Sequence, residues 1–164
     1  MKRPGLLALL GLLLGVGVTL VLFWRAPTTG RQVIVNGTAA PPVPTLNPGR
    51  VDQGAAVYAR NCASCHGANL EGQKNWKELL PDGSLPAPPH DDSGHTWHHS
   101  DGVLQDITTR GGQLVYGSAD SPSTMPAFGG TLTEADTAAI LEFFKSRWGT
   151  EQREYQWWMT ATGK

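Results

Sequence analysis

The chain has 164 residues, of which 40% are hydrophobic, and a formal net charge of −1; this is enough for one folded domain of roughly a hundred residues plus a terminal appendage. The charge is uneven, because residues 1–50 hold five Lys or Arg and no acid, whereas residues 51–164 hold eight bases against fourteen acids. The acidic part argues against a nucleic-acid partner and for one with a basic face, although the same acids also serve solubility.

Lys2 and Arg3 precede Leu6 to Trp24, nineteen residues without a charge. As a helix this stretch measures about 28 Å, near the hydrocarbon thickness of a bilayer. It ends in Phe23-Trp24-Arg25 rather than in the small residues of a cleavage site, so residues 1–25 are expected to be an uncleaved, single-pass transmembrane helix. Lys2 and Arg3 place that end in the cytoplasm and the rest of the chain outside, on the periplasmic side of a bacterial cytoplasmic membrane. Residues 26–50 carry Pro27, Pro41, Pro42, Pro44 and Pro48 with no helical period, the composition of a semi-extended linker. No strand is expected at Gln32 to Val35, and Asn36-Gly37-Thr38 matches a glycosylation sequon only formally.

A domain is expected over residues 51–149. Its first helix runs from about Asp52 into the cysteine pair, with Gly54 and Tyr58 on one face. A second starts near Asp101 behind Ser100, aligns Val103, Leu104 and Ile107, and stops at Gly111-Gly112. In the third, Thr133 and Asp136 resemble a capping box, Ile140, Leu141, Phe143, Phe144 and Trp148 form an apolar stripe, and Gly149 ends the helix. The tail, 150–164, has room for a short helix over Glu151 to Met159. With no strand pattern, the fold class is all-α.

Both cysteines lie in Cys62-Ala63-Ser64-Cys65-His66, so no disulfide staples distant parts of the chain. In C-x-x-C-H, two thiols three positions apart reach the two vinyl groups along one porphyrin edge, and the adjacent His offers an imidazole nitrogen to iron. A thioredoxin-like C-x-x-C needs a βαβ context absent here, and a zinc site needs four ligands. One covalent haem c is therefore expected, attached at Cys62 and Cys65 with His66 as one axial ligand. The sixth ligand must come from a separate loop. Met125, in Ser121-Pro122-Ser123-Thr124-Met125-Pro126-Ala127-Phe128-Gly129, sits in a rigid non-helical segment suited to presenting a thioether. Met159 lies among aromatic residues and reads as packing. Met125 is the expected ligand, with a His or an open position as the alternatives.

The segment Gly54 to Gly67, the Met125-Pro126-Ala127-Phe128 loop and the closing helix to Trp148 resemble class I cytochromes c over most of residues 51–148. The resemblance implies that the first and last helices cross, with Gly54 and Tyr58 against Ile140, Phe143 and Phe144. It also implies a proline carbonyl that accepts a hydrogen bond from the His66 nitrogen facing away from iron. A long segment, Ala68 to Ser100, replaces the usual short loop, and leaves Pro86, Pro88 and Pro89 as alternatives for that carbonyl.

The same segment holds His90, His95, His98 and His99 with Asp91, Asp92 and Asp101 near by. That composition allows a second metal site for copper or zinc, or hydrogen bonds to haem propionates and helix ends, with Trp97 filling the haem pocket. Two protein ligands leave iron no vacant position, which favours electron transfer between membrane-bound redox donors and acceptors over substrate chemistry. No nucleophile and base pair and no phosphate-binding loop is visible. The expected function is a membrane-tethered electron carrier of a respiratory chain with no small-molecule substrate. The alternatives are an electron-relay subunit of an oxidoreductase or oxidase complex, and a copper-handling module.

Overall fold

Helix α1 (Pro48–Asn61) starts a turn before the expected Asp52. Asn47 caps it by accepting from the Arg50 amide at 3.2 Å, and Pro48 sits at the first helical position, where its missing N–H costs nothing. Cys62 breaks the helical dihedrals, and a single further turn, α2 (Ala63–His66), follows. The computed structural model describes residues 30–118 and 122–164; the expected anchor at 1–25 lies outside them. Among the described residues, no helix is long and apolar enough to cross a membrane.

After the insert and a short 3-10 turn (Thr96–His98) come α3 (Asp101–Arg110), α4 (Gly112–Val115), α5 (Glu134–Arg147) and α6 (Thr150–Thr162). Ser100 stands at the N-cap position of α3 but its side chain makes no capping bond; the Asp101 amide donates instead to Thr160 Oγ1 of α6 at 3.0 Å. The capping box of α5 forms as its sequence indicates, with Thr133 Oγ1 accepting from the Asp136 amide at 3.1 Å and Asp136 Oδ2 from the Thr133 amide at 3.1 Å.

Helices α1 and α5 cross where Gly54 lies. A Cβ there would come 2.5 Å from the Ala139 carbonyl carbon and 2.9 Å from Phe143 Cβ, so only glycine admits this approach. Tyr58, one turn on, meets Phe143 and Phe144 at ring centroid distances of 5.5 and 5.8 Å. Val57, Leu70, Leu104, Ile140, Leu141 and Trp148 complete this core. Each such fully buried side chain contributes roughly 1.5–3 kcal/mol.

Residues 33–40, expected within a semi-extended linker, form a hairpin. Strands β1 (Val33–Val35) and β2 (Thr38–Ala40) pair antiparallel with Val33 opposite Ala40 and Val35 opposite Thr38. The two-residue turn is Asn36-Gly37, both with positive φ (48° and 76°), the conformation a tight hairpin turn requires. The hairpin docks on α6, and Val33, Ala40 and Trp158 bury together as a second apolar cluster. Two indole N–H groups fasten it, Trp158 to the Thr38 carbonyl (2.9 Å) and Trp157 to the Pro41 carbonyl (2.8 Å). The described residues are thus helical with one small β-hairpin, and the tail is a 13-residue helix rather than a short one.

Candidate functional site

Cys62, Cys65 and His66 share one helix end. The amides of Cys65 and His66 both donate to the Cys62 carbonyl, at 3.1 and 2.9 Å, which winds α2 into one tight turn that carries both cysteines and the histidine. Both cysteines are free thiols, Cys65 exposed and Cys62 partly buried. Burial first, and the Cys65 thiol second, push the Cys62 pKa up to about 11, so this sulfur is held as a thiol. Gly67, with φ 81°, turns the chain out of α2, and its carbonyl accepts from the Tyr58 hydroxyl at 2.6 Å.

His66 is buried and its Nδ1 lies 2.9 Å from the Pro88 carbonyl. A carbonyl only accepts, so Nδ1 carries the proton and Nε2 keeps its lone pair. Burial lowers the His66 pKa and the Pro88 bond partly opposes it, which keeps the ring neutral and fit to bind a metal. Of the three prolines open to the sequence, the fold selects Pro88. The Gly72 amide donates to the His66 carbonyl (2.8 Å), Gln73 to the Ala87 carbonyl (2.9 Å) and His90 to the Leu70 carbonyl (2.8 Å), which lays residues 87–90 along residues 66–73. Gly72, at φ 68°, lies so close that a Cβ would come 2.5 Å from the Pro89 nitrogen.

Met125 is carried by different elements. Its carbonyl accepts from the Gly112 amide at the start of α4 (3.1 Å), while Phe128 and Gly129 donate to the Thr108 and Thr109 carbonyls at the end of α3 (2.9 and 3.0 Å). Its own amide donates to Ser123 Oγ at 3.4 Å. Backbone bonds therefore fix the loop and leave the partly buried thioether without a hydrogen-bonding duty.

The four other histidines are each engaged by a different neighbour, although His95 and His99 meet edge to face at 5.4 Å between ring centroids. His90 packs into the core against His66 and Phe144, His95 stacks on Trp76 at 5.3 Å, His98 stacks on Trp97 at 3.7 Å, and Tyr116 Oη lies 3.3 Å from His99 Nδ1. The neighbouring acids serve the backbone, with Asp91 accepting from the Ser93 amide (2.9 Å) and Asp92 from the Gly149 amide (2.9 Å). Among the described residues no group of three or more His, Cys, Asp or Glu side chains is arranged to hold a metal ion.

The residues present fit a c-type haem. They offer two unpaired thiols and a neutral imidazole with its far nitrogen committed. Trp97 Nε1, moreover, is a buried donor with no partner among the described residues, suited to an acceptor such as a carboxylate of the bound group. Sequence reasoning missed the pairing of His90 with His66; its signal was a histidine directly behind Pro88-Pro89, the prolines that pass closest to the motif.

Comparison with curated proteins and with solved structures finds no match. The model of the family described as cytochrome c oxidase, cbb3-type, subunit III matches residues 49–144. That match covers more than half of the chain and takes in the cysteine motif, the insert and the Met125 loop. The chain belongs to this family and is a c-type cytochrome.

Proposed function

We propose that the domain holds one haem c through Cys62 and Cys65, with His66 and Met125 as axial ligands, and transfers single electrons between membrane-bound respiratory partners on the outer side of a bacterial cytoplasmic membrane. The observation that carries this reading is the His66 to Pro88 hydrogen bond, which fixes the tautomer and raises the ligand basicity of an imidazole adjoining two free thiols. When bound, the haem supplies a reversible one-electron couple. The chain's own residues orient the imidazole and present a thioether from a pinned loop. Thioether ligation favours a high potential, at the oxidising end of a chain.

A second reading, a resident relay subunit of an oxidase, is favoured by the family description, which names an oxidase subunit.

Full-length protein extracted in mild detergent tests both readings. A resident subunit is expected to co-migrate with oxidase activity, and a carrier to migrate alone yet exchange electrons with the oxidase in stopped flow. For the carrier, fourteen acids against eight bases in residues 51–164 predict an exchange rate that falls as salt screens a basic partner face. Protein that neither co-migrates nor exchanges electrons contradicts both readings.

A further inference from the structure

The His66 ring is gripped at two places. At its edge, Nδ1 bonds the Pro88 carbonyl at 2.9 Å. On its face lies His90, with ring centroids 4.2 Å apart and planes 25° from parallel. The other face of His90 stacks on Phe144 of α5, at 4.4 Å and 22°, and Tyr58 of α1 meets its edge at 6.4 Å and 80°. Three flat rings, His66, His90 and Phe144, thus form one stack from the cysteine motif to the closing helix.

His90 is itself held at every polar atom of its backbone and at one of its ring nitrogens. Its amide donates to the Leu70 carbonyl (2.8 Å), and its carbonyl accepts from Trp148 Nε1 (2.7 Å). The Thr96 hydroxyl donates to the Pro89 carbonyl (3.3 Å), which leaves the Thr96 oxygen to accept from His90 Nδ1 (2.8 Å). Thr96 is buried, so this anchor does not exchange with bulk water.

A hydrogen bond at one nitrogen fixes that corner of an imidazole but lets the ring roll about the bond. A rigid planar neighbour against the face removes the roll. We propose that His90 is a positioning residue for His66, a buttress seated on Phe144 and pinned by Thr96 that fixes the plane of the axial imidazole. Outer partners of this kind set ligand orientation and tune the metal. The proposal rests on the reading of His66 as a haem ligand.

Proton NMR of the ferric, haem-loaded full-length protein tests it, because the hyperfine shifts of the four haem methyls depend on the plane of the axial imidazole. His90→Leu fills the volume without a flat face and is expected to reorder the methyl shifts or compress their spread. His90→Phe restores a flat face and should return the pattern toward wild type. Thr96→Val removes the pin and should move the shifts in the same direction as His90→Leu, by less. Wild-type shifts in His90→Leu, or an equal disturbance in His90→Phe, overturn the buttress. If His90→Leu does not accumulate with haem, Thr96→Val decides, and unchanged shifts there overturn it. Wild-type protein without covalent haem would overturn the proposed function and this inference together, whereas wild-type haem with unresponsive variants overturns the buttress alone.

Discussion

Replacing Met125 by Ala should open the sixth coordination position while leaving haem covalently attached. The loop does not depend on the side chain, since the Gly112 amide bonds the Met125 carbonyl and Phe128 and Gly129 bond the end of α3 through backbone alone. On the proposed ligation, loss of the thioether acts on the iron and hardly on the fold. The reduced wild-type protein should bind carbon monoxide poorly and Met125→Ala readily. The potential should drop by a sizeable part of the roughly 0.8 V range that axial ligation spans. Met159→Ala is the control, because Met159 packs against the cluster of Val33, Ala40 and Trp158, and its loss should lower stability without touching the spectrum. The ligand assignment fails if Met159→Ala changes the spectrum and Met125→Ala does not.

Trp158→Ala should release the hairpin from α6. The indole is 5% exposed, packs on Val33 and Ala40, and donates to the Thr38 carbonyl at 2.9 Å. Truncating a buried Trp costs about 3–5 kcal/mol. Because the core around Tyr58, Phe143 and Phe144 is a separate cluster, the loss should fall first on residues 31–47, read as faster proteolysis there and as a lower denaturation midpoint. Arg31→Ala removes only an exposed ion pair to Glu154, with Arg31 at 69% side-chain exposure, and should change the midpoint little. Equal effects of the two substitutions would mean that the indole does not hold the hairpin.

The haem motif, the Met125 loop and α5 were legible in the sequence because each is specified locally. Cys62, Cys65 and His66 are contiguous, Thr133 and Asp136 close their own capping box, and Pro126 stiffens its own loop. The hairpin was less legible although it carries a local sign. Asn36-Gly37 is a two-residue hairpin turn, but strands of three residues among prolines have little pattern of their own, and the surface that orders them is a helix more than a hundred residues away. The same holds for α3, which Ser100 was expected to cap. Thr160 does so, and Lys145 and Gln156 take the Asp101 carboxylate at 2.6 and 2.7 Å, all from distant helices.

The choice of Pro88 among three prolines, and the place of His90 in the core rather than in a polar cluster, share a cause. Each depends on how residues 87–90 lie along residues 66–73, and that register comes from backbone bonds at Gly72, Gln73 and His90. The turn that permits it has positive φ at Leu70 (71°) and Gly72 (68°). Glycine at 72 hints at such a turn, but a leucine in the left-handed region leaves no mark in the sequence. Its stability comes instead from complete burial of the Leu70 side chain beside Tyr58.

The most direct test is the intact mass of the full-length protein, denatured after maturation in a host that attaches haem c, beside that of a Cys62→Ala/Cys65→Ala double variant. The wild type should exceed its polypeptide mass by one haem and keep its haem absorbance after denaturation, and the double variant should show neither. A wild-type mass equal to the bare polypeptide, a gain of more than one haem, or haem retained covalently by the double variant would contradict the account.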